Sequence, residues 1–301
     1  MSGKKKLLYV LGLGYSGSTL LGLALGTHAA VRNLGEVVNL EPAYHKNAKC
    51  TCGLKVSECS FWQGFKTHLE KTQIDLKENE RWHFSDQGKR EALDDRGGGL
   101  KKLKMVLGFS LPKLFGLNYL KRHGKKNEDF YNQAFEHFGV QVVVDVSKSP
   151  ERLSVLQAHG NLDIYCLYLI RDPHEVYASN LKRPKTTRAK YGFKKIRESL
   201  WFSLRTRSYQ RVYEKLALNK RKTMRWEDFT QQPIEKLNEL CEWLSLPLFT
   251  EKEMIITRAE QHNYSGNRWL HHTQEEKIKI QSKVSNKKLS RSEKAFFKWF
   301  N

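Results

Sequence analysis

Residues 8–22 read LYVLGLGYSGSTLLG, an apolar run that passes through a glycine-rich turn into a helical pattern carrying Ser18 and Thr19. Without side chains at Gly12, Gly14 and Gly17 the backbone can take left-handed conformations and approach an anion closely, while the N–H groups of the helix start point at it. A strand, a glycine turn and a helix in this order open an α/β sheet. An anionic group belongs at the turn.

Three ligands suit such a turn. The spacing Gly12-x-x-x-x-Gly17-Ser18-Thr19 matches a nucleoside-triphosphate loop at every place but one. Ser18 stands where a lysine would neutralise the β- and γ-phosphates, so a nucleotide kinase or other NTPase would lack its main cation. The spacing Gly12-x-Gly14-x-x-Gly17 also matches a dinucleotide fingerprint, which needs an acid at the end of the second strand. Glu36 has the distance, but it follows only a short apolar stretch. The third ligand is a single 5′-phosphate bearing a small leaving group, held by backbone amides and hydroxyls.

A second anion site is written at 162–181, LDIYCLYLIRDPHEVYASNL. A buried strand there delivers Arg171 to its carboxyl end, where ligands of α/β sheets gather. The helix expected after Pro173 places Ser179 two turns along, on a face that can look back at Arg171. A guanidinium with a hydroxyl suits a terminal phosphate, because arginine offers a planar fork of donors and keeps its charge.

Together, GLGYSGSTLL at 12–21 and the Arg171…Ser179 pair resemble the two phosphate sites of sulfotransferases, which use 3′-phosphoadenosine 5′-phosphosulfate, PAPS. The first is similar to the loop that grips the 5′-phosphosulfate, the second to the 3′-phosphate site that distinguishes PAPS from ATP. Other stretches follow in the family's order. VVVDVSKSPERL at 142–153 looks like the middle strand and its lysine-containing turn, and MRWEDF at 224–229 resembles a YEDL-type segment with Trp226 at an adenine-contacting place. HNYSGNR at 262–268 is similar to a C-terminal H…GN…R segment of bacterial members that closes over the nucleotide. Cys50-Thr51-Cys52-Gly53 followed by Glu58-Cys59-Ser60-Phe61-Trp62 looks like a C-x-C-G…C-x-F-W stretch of the same bacterial group.

The resemblance implies PAPS as co-substrate, with no metal required. It implies donor contacts from Gly14, Tyr15, Ser16, Gly17, Ser18, Thr19, Leu20, Arg171, Ser179, Trp226, Gly266, Asn267 and Arg268. The family's base is a His or a Glu near the 5′-phosphosulfate, and Glu36 matches the glutamate branch. No histidine occurs at the middle strand, where the chain has Lys148-Ser149-Pro150. Many members carry Lys or Arg where this chain has Tyr15, so Lys148 is expected to supply that charge from the neighbouring turn. The implied reaction is in-line sulfuryl transfer to a hydroxyl or amine of a carbohydrate, lipid or small-metabolite acceptor.

Lys and Arg number 53 against 32 Asp and Glu, a formal net charge of +21. Such a field attracts polyanions, acidic membrane faces or an acidic substrate, less so in high salt. A non-catalytic polyanion-binding protein is therefore a rival reading, although the chain has no helix-turn-helix, zinc-finger or aromatic RNA-binding motif and no specific nucleic-acid partner is expected. The longest apolar runs fall short of the roughly 18 residues that span a membrane, so the expectation is a soluble, cytoplasmic enzyme. LGFSLPKLFGLNYLKRHGKK at 107–126 mixes apolar and basic residues; it suits a helix over the site, or peripheral contact with an anionic membrane.

Five cysteines in 301 residues do not suggest a disulfide scaffold. Cys166 and Cys241 read as buried small hydrophobes. Zinc at Cys50, Cys52 and Cys59 would want a fourth ligand, with His45 as the candidate, but C-x-C is not the usual knuckle spacing. A disulfide or reduced packing thiols are expected instead, and no metal ligand is assigned.

Strands are expected near 6–11, 31–34, 140–145, 163–170 and 221–226, and helices near 18–27, 151–159, 174–181, 194–217, 233–245 and 273–299. Their alternation implies a P-loop-like, mostly parallel sheet flanked by helices, in a single domain over 1–301. Residues 64–139 break the rhythm and read as a helical insertion or lid.

Overall fold

The computed structural model describes residues 4–74, 117–159, 161–173, 175–176, 179, 206–250, 252–266, 270 and 275–280. Five strands form one wholly parallel sheet: β1 (Lys6–Leu11), β2 (Val31–Asn33), β3 (Val142–Lys148), β4 (Ile164–Ile170) and β5 (Arg221–Arg225). Their order across the sheet is β2-β3-β1-β4-β5. The chain thus winds to one side of β1 and then to the other, and the crevice between β1 and β4 is where ligands of such sheets bind.

Alternation along β1 explains why the sheet is covered on both faces. Leu7, Tyr9 and Leu11 face one core with Trp62, Phe65, Phe130 and Tyr131. Leu8 and Val10 face the other, with Leu21, Leu23, Leu237 and Leu240. Helices α1 (Ser18–Leu25), α2 (Leu40–His45), α3 (Ser60–Lys71), α4 (Leu117–Phe138) and α5 (Pro150–His159) follow in chain order, then α6 (Trp226–Gln231) and α7 (Pro233–Leu244). Each fully buried large apolar side chain contributes about 1.5–3 kcal/mol. Cys166 lies in the first core and Cys241 in the second.

Two elements depart from the expectations. Trp226 opens α6 instead of ending a strand, with Glu227 and Asp228 in the first turn where the helix dipole favours acids. Within the helix expected over 273–299, the described residues include a strand, Lys277–Ile278, antiparallel to Ile256–Thr257. Ile256 and Ile278 are both buried there, so pairing covers two β-branched side chains and overrides the helix-prone Glu275-Glu276-Lys277. Of the insertion expected at 64–139, the two described ends belong to α3 and α4, which pack together, while 75–116 lie outside the described residues.

One polar group lies deep in the first core. Arg152 Nε donates to Asp145 Oδ2 at 2.9 Å, and its Nη2 donates to the Tyr131 hydroxyl at 2.6 Å. Tyr131 in turn donates to Oδ2, and Ser147 donates to Oδ1 through both its amide and its hydroxyl. Asp145 and Arg152 are 0% and 1% exposed, so the two charges compensate each other away from water. Burial works against the Arg152 charge, but Tyr131 and Asp145 outweigh it and hold its pKa above the usual value. The network clamps the end of β3 and so fixes the turn that carries Lys148.

Candidate functional site

The strand order brings the sequence-predicted groups together. Glu36 follows β2, Lys148 ends β3, the glycine turn follows β1, Arg171 follows β4 and Trp226 follows β5. The sheet therefore sets them side by side along one carboxyl edge, about 4.8 Å apart per strand.

At the centre the turn is shaped from within. A Cβ at Gly12 would come within 2.7 Å of the Leu169 carbonyl of β4, so only glycine lets the chain leave β1 beside its neighbour. Gly17 has φ +93°, and a Cβ there would meet the Trp226 indole at 2.2 Å. Among the described residues no atom lies within 4 Å of a Cβ built at Gly14. Tyr15 is left-handed at φ 69°, a conformation that costs about 1–2 kcal/mol outside glycine and tends to be held where it serves a site. Gly17 is the N-cap of α1 with no side-chain cap; Leu20 N and Leu21 N donate to Gly17 O, and the amides of Ser18 and Thr19 have no partner among the described residues. Ser16 Oγ is likewise buried without a hydrogen-bond partner among them. Ser18 and Thr19 are buried at the helix start, with Leu20 half-buried beside them.

Arg171 turns back onto this turn. Its Nη1 donates to the Tyr15 carbonyl at 3.0 Å, and its Nη2 lies 3.6 Å from Glu175 Oε2. The guanidinium carbon sits 5.8 Å from the centre of the Trp226 ring, a cation–π contact. Trp226 is only 4% exposed and its Nε1 has no hydrogen-bond partner among the described residues. The indole therefore props the turn and the arginine from below. Ser179 is helical and half-buried.

On the other side of the turn, Lys148 Nζ donates to Glu36 Oε1 in a close ion pair. Asn39 Nδ2 holds the other carboxylate oxygen at 2.7 Å. Register explains the meeting: Lys148 pairs with Leu11 at the root of the turn, and Val146 N donates to Gly35 O at 2.9 Å. Lys148 too is left-handed, at φ 64°.

Residues 261–266 lie across this edge. The Tyr264 hydroxyl donates to the carbonyls of Leu34 and Glu36, each at 3.2 Å. Gly266, at φ +102°, passes so close to α1 that a Cβ would fall 2.7 Å from Thr19 Oγ1. Asn267 and Arg268 lie outside the described residues. The segment is tied down by Thr51, whose amide donates to Asn263 O at 2.8 Å and whose hydroxyl donates to Gln261 O at 2.6 Å. Asn263 N returns a bond to Thr51 Oγ1 at 2.9 Å.

Sequence reading missed Asn39, whose i,i+3 spacing from Glu36 was a usable signal, and Thr51, whose partners lie more than 200 positions away where no spacing rule reaches. It also missed that His262 reaches the cysteine loop. His45, the fourth group suggested there, lies instead 3.5 Å from Glu41. All five cysteines are free.

Structural neighbours of the chain are sulfotransferases. The sulfotransferase domain from the curacin biosynthetic pathway aligns at 14% identity over 99% of this chain and 98% of its own, with a TM-score of 0.46. The sulfotransferase domain of the Synechococcus PCC 7002 olefin synthase aligns at 15% identity over 100% and 96%, with a TM-score of 0.44. Sulfotransferase STF9 from Mycobacterium avium aligns at 14% identity over 91% and 70%, with a TM-score of 0.47. A scan of protein-family models and a search of curated proteins give no match. At these values the geometry of the site has to carry any functional reading. No helix among the described residues is long and apolar enough to cross a membrane.

Proposed function

We propose that the chain is a sulfotransferase that moves a sulfuryl group from PAPS to a hydroxyl or amine of a carbohydrate, lipid or small-metabolite acceptor. The observation that carries this reading is the Arg171 guanidinium turned onto the glycine turn, 3.0 Å from the Tyr15 carbonyl. It makes two anion sites neighbours on one edge of the sheet. The donor set suits a nucleotide phosphorylated at both ends: the turn offers amides and hydroxyls with Ser18 in place of the triphosphate lysine, and arginine supplies the fixed charge for a second phosphate. Residues Gly14 to Leu20 would hold the 5′-phosphosulfate, Arg171 with Ser179 the 3′-phosphate. Trp226, Gly266, Asn267 and Arg268 would serve the adenosine side, Trp226 by supporting Gly17 and Arg171.

Glu36 and Lys148 then divide the transfer between them. Glu36 takes the proton of the acceptor hydroxyl, and the acceptor oxygen forms a new bond to sulfur as the bond from sulfur to the bridging oxygen breaks. The bridging oxygen leaves with that electron pair on the 5′-phosphate. The contacts from Lys148 and Asn39 hold the Glu36 carboxylate in place at the edge of the sheet. Once Glu36 is protonated the pair loses its attraction, which releases the ammonium charge for the leaving oxygen.

Single-turnover transfer from labelled PAPS tests these roles. Glu36→Gln and Lys148→Ala are each expected to bind adenosine 3′,5′-bisphosphate normally and to slow transfer by about 10²–10⁴-fold. A near-normal rate in either variant removes that residue from the mechanism. Thermal shift tests the class: the bisphosphate should stabilise the chain without Mg²⁺, and stronger stabilisation by ATP with Mg²⁺ would point to an NTPase.

A further inference from the structure

Cys50, Cys52, Cys59 and His262 bring one ligand atom each to a common point, all four within 4.8 Å of one another. Cys52 Sγ and Cys59 Sγ are 3.7 Å apart, and Cys59 Sγ and Cys50 Sγ are 3.9 Å apart. The Nδ1 atom of His262 lies 3.3 Å from Cys59 Sγ and 3.9 Å from Cys50 Sγ. These separations are far longer than a disulfide, at about 2.05 Å. These four are close to edges of a tetrahedron around Zn²⁺, where bonds of about 2.3 Å to sulfur and 2.0–2.1 Å to nitrogen give edges of about 3.8 Å and 3.6 Å.

We infer that Cys50, Cys52, Cys59 and His262 form a structural zinc site that fastens the 261–266 segment to the 50–59 loop. The surroundings are built for it. Gly53, left-handed at φ +101°, turns the chain after Cys52, and Gly53 N donates back to Cys50 O at 3.0 Å while Cys50 N donates to Leu54 O at 2.7 Å. A bridge between Lys49 and Lys55 closes this small hairpin, which aims both sulfurs the same way. Cys59 is the N-cap of α3, so the helix start fixes its sulfur beside the hairpin. His262 arrives from the far end of the chain with its ring stacked on Phe61, centroids 4.5 Å apart and planes at 12°. Its neighbours Gln261 and Asn263 are the residues bonded to Thr51, between the two hairpin cysteines. Three thiolates and one imidazole, closed and half to fully buried, are a structural donor set, in which no position is left for substrate. This inference stands apart from the sulfuryl-transfer reading and holds or fails without it.

The test uses the full chain purified under reducing conditions without chelator. Elemental analysis should find about one zinc per chain. Replacement by Co²⁺ should give the visible bands of a tetrahedral site together with sulfur-to-cobalt charge transfer, a result that needs no variant. Cys59→Ser and His262→Ala should each weaken Zn²⁺ binding more than the 10–100-fold typical of losing an outer partner of a metal ligand, while Cys241→Ser, outside the cluster, should keep it. Stripping the metal should speed hydrogen exchange at residues 258–266 and leave β1 and β3 protected. A reduced chain that takes up no zinc when offered it overturns the site. So does uptake undiminished in both ligand variants, or a disulfide between any two of the three cysteines in freshly isolated protein.

Discussion

Two regions fix loops on the same edge of the sheet by opposite means. The turn after β3 is held by groups close in sequence: Asp145 binds Ser147 and Arg152, and Tyr131 stands 14 positions away. The 261–266 segment is held by groups more than 200 positions away, through Thr51 to Gln261 and Asn263 and through Tyr264 to Leu34 and Glu36. The first clamp sits inside the core and belongs to the cooperative unit. The second is buried too, but it joins two loops rather than strands, so its opening does not require the sheet to separate. In the proposed reaction Lys148 would need the first kind of support, because its geometry would have to survive every turnover.

Four substitutions would break or sharpen this contrast. Arg152→Leu leaves Asp145 buried and uncompensated, and urea unfolding should show a loss of about 3–5 kcal/mol with every probe moving together. Gly17→Ala forces a left-handed alanine and drives its Cβ into the Trp226 ring, costs of about 1–2 and 1–3 kcal/mol respectively. It should also abolish stabilisation by adenosine 3′,5′-bisphosphate, because the turn and Arg171 share the Trp226 support. Thr51→Val removes an acceptor and a donor at the junction and should cost about 1–3 kcal/mol. Hydrogen exchange should rise at 261–266 and stay unchanged in β3; equal acceleration of both would erase the distinction between the two clamps. Tyr15→Gly relieves about 1–2 kcal/mol of left-handed strain against about 0.4–1 kcal/mol of added unfolded-chain entropy. Thermal unfolding should show a small gain, and a clear loss would mean that the phenol itself supports the turn.

The strand, turn and helix at 6–25 were legible because every force that makes them acts within 20 residues: alternating burial, glycine conformations and an open helix start. β4 with Arg171 was legible for the same reason. Lys277–Ile278 was not, because its local pattern favours helix and only the pairing with Ile256–Thr257 makes it a strand. The role of Trp226 was hidden likewise, since the indole fills a space that exists only once Gly17 has taken its left-handed turn.

Sequence alone determined the α/β class, the strand, glycine turn and helix at 6–25, and the choice of Glu36, Lys148 and Arg171 as the groups of interest. Tertiary structure alone decided that Lys148 pairs with Glu36, that Arg171 bends to Tyr15, and that His262 joins three cysteines some 200 positions before it. The reason is range. Backbone preferences and side-chain periodicity act between near neighbours, whereas a meeting of side chains from β2 and β3, or from the two ends of the chain, depends on strand order and register, which are set only when the whole sheet packs.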